Sequence, residues 1–207
     1  MKKIVLIGGG GHCISVLDCI ISNNEYDEIV IVDSNLQVNS KIMNCPVVGD
    51  DSKLSDLKRI GFDYAFITVG SIKSTAIRRK LYKLALSLGF EFPIVCDHTA
   101  SVSAYSSLGA GTFVGKNAVV NAKAEIGEHC IINTGSVIEH ECSVGAFSHI
   151  SVGSILCGNC SVGHDSFIGA GSTVIQGINI GSNVIIGAGS TVIRNITDNK
   201  VVSGLVK

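Results

Sequence analysis

Residues 126–168 read IGEHCIINTGSVIEHECSVGAFSHISVGSILCGNCSVGHDSFI, and an aliphatic residue stands at every sixth position of this stretch. The same spacing runs without an insertion from Val102 to Val192. Neither an α-helix nor a β-strand has a period of six, so the repeat indicates a solenoid. Stacked repeats of this kind bury a continuous core that no single repeat could bury alone.

The other positions of each six-residue unit, or hexad, predict how the chain turns. The third residue after the aliphatic one is most often Gly or Asn, which tolerate positive φ, and the fourth is in most hexads Ser, Thr, Ala or Cys. Each hexad is therefore one flat side and one corner, and three hexads close a triangular coil. We expect residues 98–207 to form an all-β, left-handed parallel β-helix of about five coils.

The same register assigns a packing role to several cysteines. Cys130, Cys142 and Cys160 all occupy the small position, where a buried thiol behaves as a small hydrophobe. Cys157 and Cys160 have the spacing of a redox or zinc motif, but the chain has no second CxxC pair. We therefore predict free thiols and no metal.

Residues 1–97 change character and predict a separate domain with alternating strands and helices. The expected strands are Lys3–Ile7, Glu28–Asp33, Asp63–Val69 and Glu91–Cys96, and the expected helices follow Gly11 and cover Ile72–Leu88. A strand, a glycine turn, a helix and a second strand are typical of right-handed parallel crossovers. The pattern predicts a small Rossmann-like α/β domain.

The glycine turn Gly8–Gly11 suggests a phosphate-binding loop. The dinucleotide pattern GxGxxG is not met, because Cys13 stands where its last glycine belongs, so a bound NAD is not expected. A mononucleotide or nucleotide-sugar diphosphate fits better, with Gly10 and Gly11 near the phosphate and Asp33 near the ribose or base. The alternative is a merely tight turn in which Asp33 caps a strand.

His140 and Glu141 are the candidate catalytic residues. They take adjacent corner positions of one hexad, where both side chains can project outward. Imidazole titrates near neutrality, and a neighbouring carboxylate can select its tautomer and stabilise the imidazolium. Asn133 and His149 each flank an inward aliphatic residue and should also face outward. The alternative for His140 is a solvated corner histidine. Three further histidines are expected at the surface or at junctions: His98, His129 and His164.

The run from Asn133 to His149, continuing to Gly163, resembles the PglD-type nucleotide-amino-sugar N-acetyltransferases, a branch of the hexapeptide-repeat acyltransferases. The sialic-acid O-acetyltransferases of the NeuD type share much of it. The resemblance covers nearly the whole chain, including the strand before GGGGH and the IVD strand. It implies a homotrimer with active sites between neighbouring subunits.

Site residues follow from this resemblance. It implies that His140 is the general base, that Glu141 is its acidic neighbour, and that His149 lies at the acetyl-CoA thioester. The remaining residues expected to bind acetyl-CoA are Asn133, Ala170 and Ala188. The residues expected to bind the nucleotide sugar are Gly10, Gly11, His12, Asp33, Gly70 and Arg78, the last of them at the diphosphate.

One departure concerns the C-terminal residues. Members of the family usually carry a Gly-x-Pro-Ala segment near the tail of CoA, whereas this chain has SGLVK at 203–207. The resemblance therefore does not predict how the adenine end of CoA is held.

The leading hypothesis is direct acetyl transfer from acetyl-CoA to the 4-amino group of a UDP- or dTDP-linked 4-amino-4,6-dideoxy sugar. The first alternative is an O-acetyltransferase of sialic acid or a related sugar. The second is a non-catalytic trimeric β-helix that serves as a scaffold or sugar-nucleotide sensor. No acyl-enzyme is required, and the rival nucleophile Cys142 should point inward.

Composition excludes other classes of function. A net charge of -1 and a pI near 6.6 argue against a nucleic-acid partner. No stretch reaches the roughly 20 apolar residues that span a bilayer. Met1–Lys3 followed by the short run Ile4–Ile7 is too brief for a signal peptide. We expect a cytoplasmic protein without a membrane span.

Overall fold

The computed structural model describes residues 1–207, which form two compact units. The N-terminal unit comprises Met1–Gly70 and Ala76–Val95, and the β-helix unit comprises Ser71–Thr75 and Cys96–Lys207. The observed division differs from the predicted one, between residues 97 and 98, in two respects: the β-helix unit resumes two residues earlier, at Cys96, and it includes a separate segment. Five residues from the middle of the N-terminal half, here named the 71–75 segment, belong to the compact body of the β-helix.

The N-terminal unit is built around a five-stranded sheet. Its elements are β1 (Lys3–Ile7), α1 (Gly11–Asn23), β2 (Glu28–Val32), β3 (Lys41–Ile42), β4 (Cys45–Gly49), a 3-10 turn (Asp51–Lys53), α2 (Leu54–Arg59), β5 (Tyr64–Ile67) and α3 (Ala76–Ser87). The strand order is β3-β4-β2-β1-β5, parallel except for β3. Strand β1, which lies between β2 and β5, is apolar and fully buried from Ile4 to Ile7, as expected for a parallel sheet. The Rossmann-like prediction is confirmed.

Two expected elements of this half differ in the structure. Helix α3 begins at Ala76 rather than at Ile72, because the 71–75 segment leaves the N-terminal unit. The expected fourth strand, Glu91–Cys96, contributes only a single bridge to this sheet, from Glu91 to Tyr64, and its last two residues instead form strand Val95–Cys96 of the β-helix. Cys96 lies one hexad before Val102, and the backbone N–H of the next residue, Asp97, already donates to a β-helix carbonyl at Val114. The chain therefore enters the solenoid earlier than expected.

The β-helix consists of two-residue strands on three parallel sheets. In chain order from β6 to β24 the strands are Val95–Cys96, Ser101–Val102, Ser107–Leu108, Phe113–Val114, Val119–Val120, Glu125–Ile126, Ile131–Ile132, Val137–Ile138, Ser143–Val144, His149–Ile150, Ile155–Leu156, Ser161–Val162, Phe167–Ile168, Thr173–Val174, Asn179–Ile180, Ile185–Ile186, Thr191–Val192, Val201–Val202 and Leu205–Val206. The first side is β7-β10-β13-β16-β19-β22-β24, the second side is β8-β11-β14-β17-β20, and the third side is β6-β9-β12-β15-β18-β21-β23.

The register of these strands confirms the triangular coil. Val120 pairs with Ile138 and Ile138 with Leu156, so strands 18 residues apart are neighbours. The aliphatic residues form one buried core that continues to Val192 and Val206. Corners take positive φ even at residues other than Gly and Asn; Glu141, for example, has φ 61°. The last strands depart from the period, since Ile185 pairs with Val201 and Thr191 with Leu205.

The small position of each hexad links one coil to the next. The Ser148 hydroxyl donates to the Gly163 carbonyl at 2.7 Å and accepts the Ser166 N–H at 3.0 Å. The cysteines at this position act similarly: the Cys142 thiol donates to the Cys157 carbonyl at 3.1 Å. Cys130, Cys142 and Cys160 are all buried. Their predicted packing role is confirmed.

All eight cysteines are free thiols, and no three His, Cys, Asp or Glu side chains are grouped to hold a metal ion. None of the helices combines the length and the apolar character needed to cross a membrane.

Candidate active site

His140 and Glu141 lie together on the corner between the first and second sides. Nδ1 of His140 is 3.3 Å from Oε2 of Glu141, and the imidazole is 62% exposed. An ionised carboxylate accepts only, so this contact places the proton of a neutral imidazole on Nδ1. Nε2 is then left with a lone pair. The corner therefore presents an oriented base to solvent.

Lys123 completes this corner from the preceding coil. Its Nζ lies 3.4 Å from Oε1 of Glu141. Hydrogen bonds from His140 and Lys123, together with the charge of Lys123, hold the pKa of Glu141 below its ordinary value. The carboxylate is thus ionised at neutral pH and in place to stabilise an imidazolium.

The imidazole of His140 lies against the next coil at Gly158. A Cβ built on Gly158 would be 2.7 Å from both Cε1 and Nε2 of His140. The backbone carbonyl of His140 accepts from the N–H of Asn159 at 2.9 Å. The ring and the backbone of His140 are therefore both in contact with the coil that follows.

His149 faces outward from the third side but is covered, being only 8% exposed. Its Nδ1 is 3.0 Å from the carbonyl of Ser71, and its Nε2 is 3.1 Å from Nδ2 of Asn133. The ring also meets Phe167 edge-on, with centroids 5.1 Å apart. Asn133 and His149, each expected to face outward, are in contact here, and the 71–75 segment lies over His149.

Thr75 anchors the other end of the 71–75 segment. Its hydroxyl donates to Oδ1 of Asp165, whose Oδ2 lies 2.6 Å from Nδ1 of His164. His164 is an exposed corner residue, as expected, but it has this acidic partner. The expectation for His129 is wrong: its ring is stacked on Phe147 at 4.9 Å and is 1% exposed.

The expected catalytic residues and the expected acetyl-CoA-binding residues lie on different parts of the triangular β-helix. Ala170 and Ala188 are exposed and stack at the corner that follows the third side, where the Ala170 carbonyl accepts from Gly189 N–H at 2.8 Å. His149 lies on the third side itself. His140 lies on the corner opposite that side. A six-residue side spans at most ~20 Å, so the corner and the opposite side are roughly 15 Å apart.

Cys142 is close to His140 in sequence but not in orientation. Its thiol is buried and donates to a carbonyl of the next coil. The hydrogen bond with Cys160 and burial both raise the pKa of the Cys142 thiol well above the usual range. A protonated, inward thiol is not a nucleophile for a substrate on the corner.

In the N-terminal unit, three strand ends meet at the carboxyl edge of the sheet. Gly10 and Gly11 are exposed at the start of α1, and a side chain at either position would meet open space. Asp33 follows β2, and its Oδ2 accepts from Gly9 N–H at 2.7 Å while Oδ1 accepts from Asn35 N–H at 2.7 Å. Asp33 therefore shapes the glycine turn and retains acceptor capacity, because a carboxylate offers about four lone-pair sites.

Two further residues expected at the nucleotide sugar lie at the same edge. Gly70 follows β5, and a Cβ built on it would be 3.8 Å from Cβ of His12 in α1. Arg78 is different, because its side chain is only 2% exposed. The contact of Arg78 with a diphosphate stays a prediction, and it would require the ligand to reach a buried guanidinium.

Both halves of the chain match known families. Residues 3–85 match the PglD N-terminal domain, and residues 105–140 and 159–194 match the bacterial transferase hexapeptide of six repeats. A histidine-to-alanine variant of GDP-perosamine N-acetyltransferase from Caulobacter crescentus, solved with CoA and GDP-perosamine, is 35% identical, with a TM-score of 0.93. The similarity covers 99% of this chain and 94% of that chain. The chain belongs to the PglD-type family of hexapeptide-repeat acetyltransferases.

Two further solved structures are similar to this chain. The acetyltransferase domain of PglB from Neisseria gonorrhoeae, solved with acetyl coenzyme A, is 34% identical over 98% of this chain and 96% of that chain, with a TM-score of 0.92. WeeI from Acinetobacter baumannii, at 16% identity and a TM-score of 0.64 over 99% of this chain and 97% of that chain, shares the fold. No curated protein matches the sequence.

Sequence reasoning missed three neighbours of the expected site residues in this PglD-type chain. Lys123 precedes Glu141 by 18 residues and Gly158 follows His140 by 18, so the coil period could have identified both. Ser71 contacts His149 through its backbone carbonyl from 78 residues away. No sequence pattern signals that contact.

Proposed function

We propose that this chain is an acetyl-CoA-dependent N-acetyltransferase that acts on the 4-amino group of a nucleotide-linked sugar. The observation that carries the proposal is the exposed His140–Glu141 pair, with Nδ1 and Oε2 3.3 Å apart. It occurs in a chain that is 35% identical, over 99% of its length, to a GDP-perosamine N-acetyltransferase. The related PglB domain binds acetyl coenzyme A.

The chemistry needs one base that is held in a fixed orientation by a carboxylate. The neutral sugar amine attacks the carbonyl carbon of the thioester, a C–N bond forms, and the C–S bond breaks. Nε2 of His140 takes the proton that the amine loses and returns it to the sulfur of the departing CoA thiolate. Glu141 holds Nδ1–H and stabilises the imidazolium while the proton is on the ring. The step needs no acyl-enzyme.

A homotrimer with active sites between subunits is the assembly that best fits this chemistry. His140 is on a corner, while Asn133, His149, Ala170 and Ala188 are on the opposite side and the corner that follows it. One thioester cannot touch both groups within one chain across roughly 15 Å. Two chains packed side by side can bring the corner of one against the third side of its neighbour. A cyclic trimer closes such a heterologous contact.

The N-terminal unit is the proposed site of the nucleotide. Exposed amides at Gly10 and Gly11 and the positive end of α1 suit a diphosphate. Asp33, Gly70 and His12 lie at the same carboxyl edge of the sheet, where ligands bind in open α/β folds. This half of the molecule would provide the nucleotide handle, and the β-helix the acetyl transfer.

A thiol-release assay with acetyl-CoA tests the proposed function. The acceptor panel contains UDP-, dTDP- and GDP-linked 4-amino sugars and free sialic acid, and products are separated by mass. We expect turnover with one or more nucleotide 4-amino sugars, loss of about 10²- to 10⁴-fold in His140→Ala, and unchanged turnover in the exposed control His98→Ala. Full activity in His140→Ala, or acetylation of sialic acid alone, would contradict the proposal.

A further inference from the structure

One residue per coil occupies the corner position of His140. In chain order these residues are Ala104, Ala122, His140, Gly158, Gln176 and Arg194. Gly158 is the only glycine in this column, and it directly follows the only histidine. Its neighbours in the column show that alanine fits this position of the coil.

The backbone at Gly158 does not require glycine. The left-handed residue of this corner is the next one, Asn159, with φ 57°. Gly158 itself is outside the left-handed region that L side chains avoid. A glycine here therefore needs a different explanation.

The imidazole of His140 supplies that explanation. A Cβ on Gly158 would lie 2.7 Å from Cε1, 2.7 Å from Nε2 and 3.3 Å from Cδ2 of His140. Carbon atoms in van der Waals contact lie ≈ 3.5–4.0 Å apart, so the ring occupies the volume that a side chain at 158 would use. In this seat the ring has Nδ1 toward Glu141.

We propose that Gly158 is a positioning residue for His140. Its missing side chain lets the imidazole lie flat against the next coil, so that Nδ1 reaches Glu141 while Nε2 remains available as base. The inference rests on the proposed function, which makes His140 the base. A methyl group at 158 would rotate the ring at little cost in stability, because the ring is 62% exposed and free to move outward.

Gly158→Ala tests this role. We expect kcat to fall about 10- to 100-fold, the cost of misplacing a reacting group by about 1 Å, with the KM values of both substrates little changed. The thermal midpoint stays the same or rises, since alanine restricts the unfolded chain. Gln176→Ala is the matched control, because it places alanine at the same corner one coil further from His140. It should keep wild-type kcat.

A double variant separates the ring from the substrate. If Gly158 acts through His140, then Gly158→Ala has no further effect in the His140→Ala background. A further loss there, or a large rise in the KM for acetyl-CoA in the single variant, would mean that the methyl obstructs substrate, and the inference would be wrong. Wild-type kcat or a lowered midpoint in Gly158→Ala would overturn it as well.

A spectroscopic readout distinguishes this inference from the proposed function. In protein labelled with ¹³C-histidine, the Cε1–H resonance of His140 should shift in Gly158→Ala and no longer respond to Glu141→Gln. The wild-type resonance should respond to Glu141→Gln. This result depends on the position of the His140 imidazole against residue 158 and not on turnover. Full activity in His140→Ala would therefore end the catalytic proposal while an unmoved resonance would end the positioning one.

Discussion

Nδ2 of Asn133 lies 3.1 Å from Nε2 of His149, and the direction of the hydrogen bond between them is determined by their neighbours. Oδ1 of Asn133 accepts from Thr134 N–H at 2.8 Å, so the amide NH2 faces the ring. The Ser71 carbonyl, 3.0 Å from Nδ1, can only accept. Both contacts select a neutral His149 with its proton on Nδ1.

Asn133→Asp should disturb this arrangement. The carboxylate cannot donate to Nε2, so the neutral Nδ1–H ring loses its partner and two acceptors face each other. We expect the KM for acetyl-CoA to rise about 5- to 10-fold, the equivalent of one hydrogen bond. Steady-state kinetics measure it. Asn183→Asp, which adds the same charge at another corner, should leave this KM unchanged.

Mixing two inactive variants tests whether sites are shared between chains. A His140→Ala chain keeps His149, and a His149→Ala chain keeps His140. If each site takes one group from each of two neighbours, co-refolded mixed trimers regain about a quarter of the wild-type sites. Each variant refolded alone should stay inactive. Sedimentation should give the mass of three 21.6 kDa chains. Mixtures without recovered activity would place both groups in sites of a single chain.

Glu141→Gln should lower kcat about 10- to 100-fold, because the amide neither selects the tautomer as strongly nor stabilises the imidazolium. The lowered pKa of Glu141 predicts the pH dependence of this loss. Since the carboxylate is ionised throughout the range above the ordinary glutamate value of about 4.3, the loss should be present in full at about pH 8. The contribution of the carboxylate should disappear only as pH falls below that value. Equal kcat values for wild type and variant at about pH 8 would contradict the assignment.

Asp97 provides a test of stability at the start of the β-helix. It is buried and accepts from Thr99 at both the backbone N–H (3.0 Å) and the hydroxyl (2.6 Å). Burial opposes its ionisation, but the hydrogen bonds from Thr99 and the nearby charges of His98 and Lys116 outweigh it and hold the pKa of Asp97 below its ordinary value. The stabilisation is therefore fully present above about pH 4, the unfolded value, and is lost as pH falls through the lower folded value.

Asp97→Asn should accordingly lower the free energy of unfolding by about 1–3 kcal/mol at pH 7. The difference from wild type should shrink below about pH 4. Urea unfolding at several pH values measures it, with the exposed Glu125→Gln as the control. If the difference in the free energy of unfolding grew as pH fell, the pKa of Asp97 would be raised by folding and not lowered, which would contradict the prediction.

The hexad period made much of the β-helix unit predictable. It assigns each residue a face, and it therefore predicts that Cys142 is buried and that His140 and Glu141 lie on a corner. The same rule misjudged His129, which is a corner residue but is stacked under Phe147. The sequence period predicts whether a side chain points into or out of the coil. It does not predict which other residues pack against that side chain.

The position of the 71–75 segment over His149 could not be predicted from the sequence either. Ser71 bonds through its backbone carbonyl, which every residue carries, so its identity holds no signal. The burial of Arg78 could not be predicted either, because a cation near a glycine loop suits a phosphate in the sequence whether it is buried or exposed. Only its 2% exposure separates the two cases.

The pairing of strands 18 residues apart has a consequence for how such a chain can change length. One extra residue within a side would turn the following aliphatic residue outward, as a register slip does in any sheet. Duplication of a whole coil would leave every face as it is. Growth of this half is therefore quantised: the candidate base can be carried along the axis only in steps of one strand spacing, about 4.8 Å. Positions along the axis of the β-helix are therefore separated by whole strand spacings.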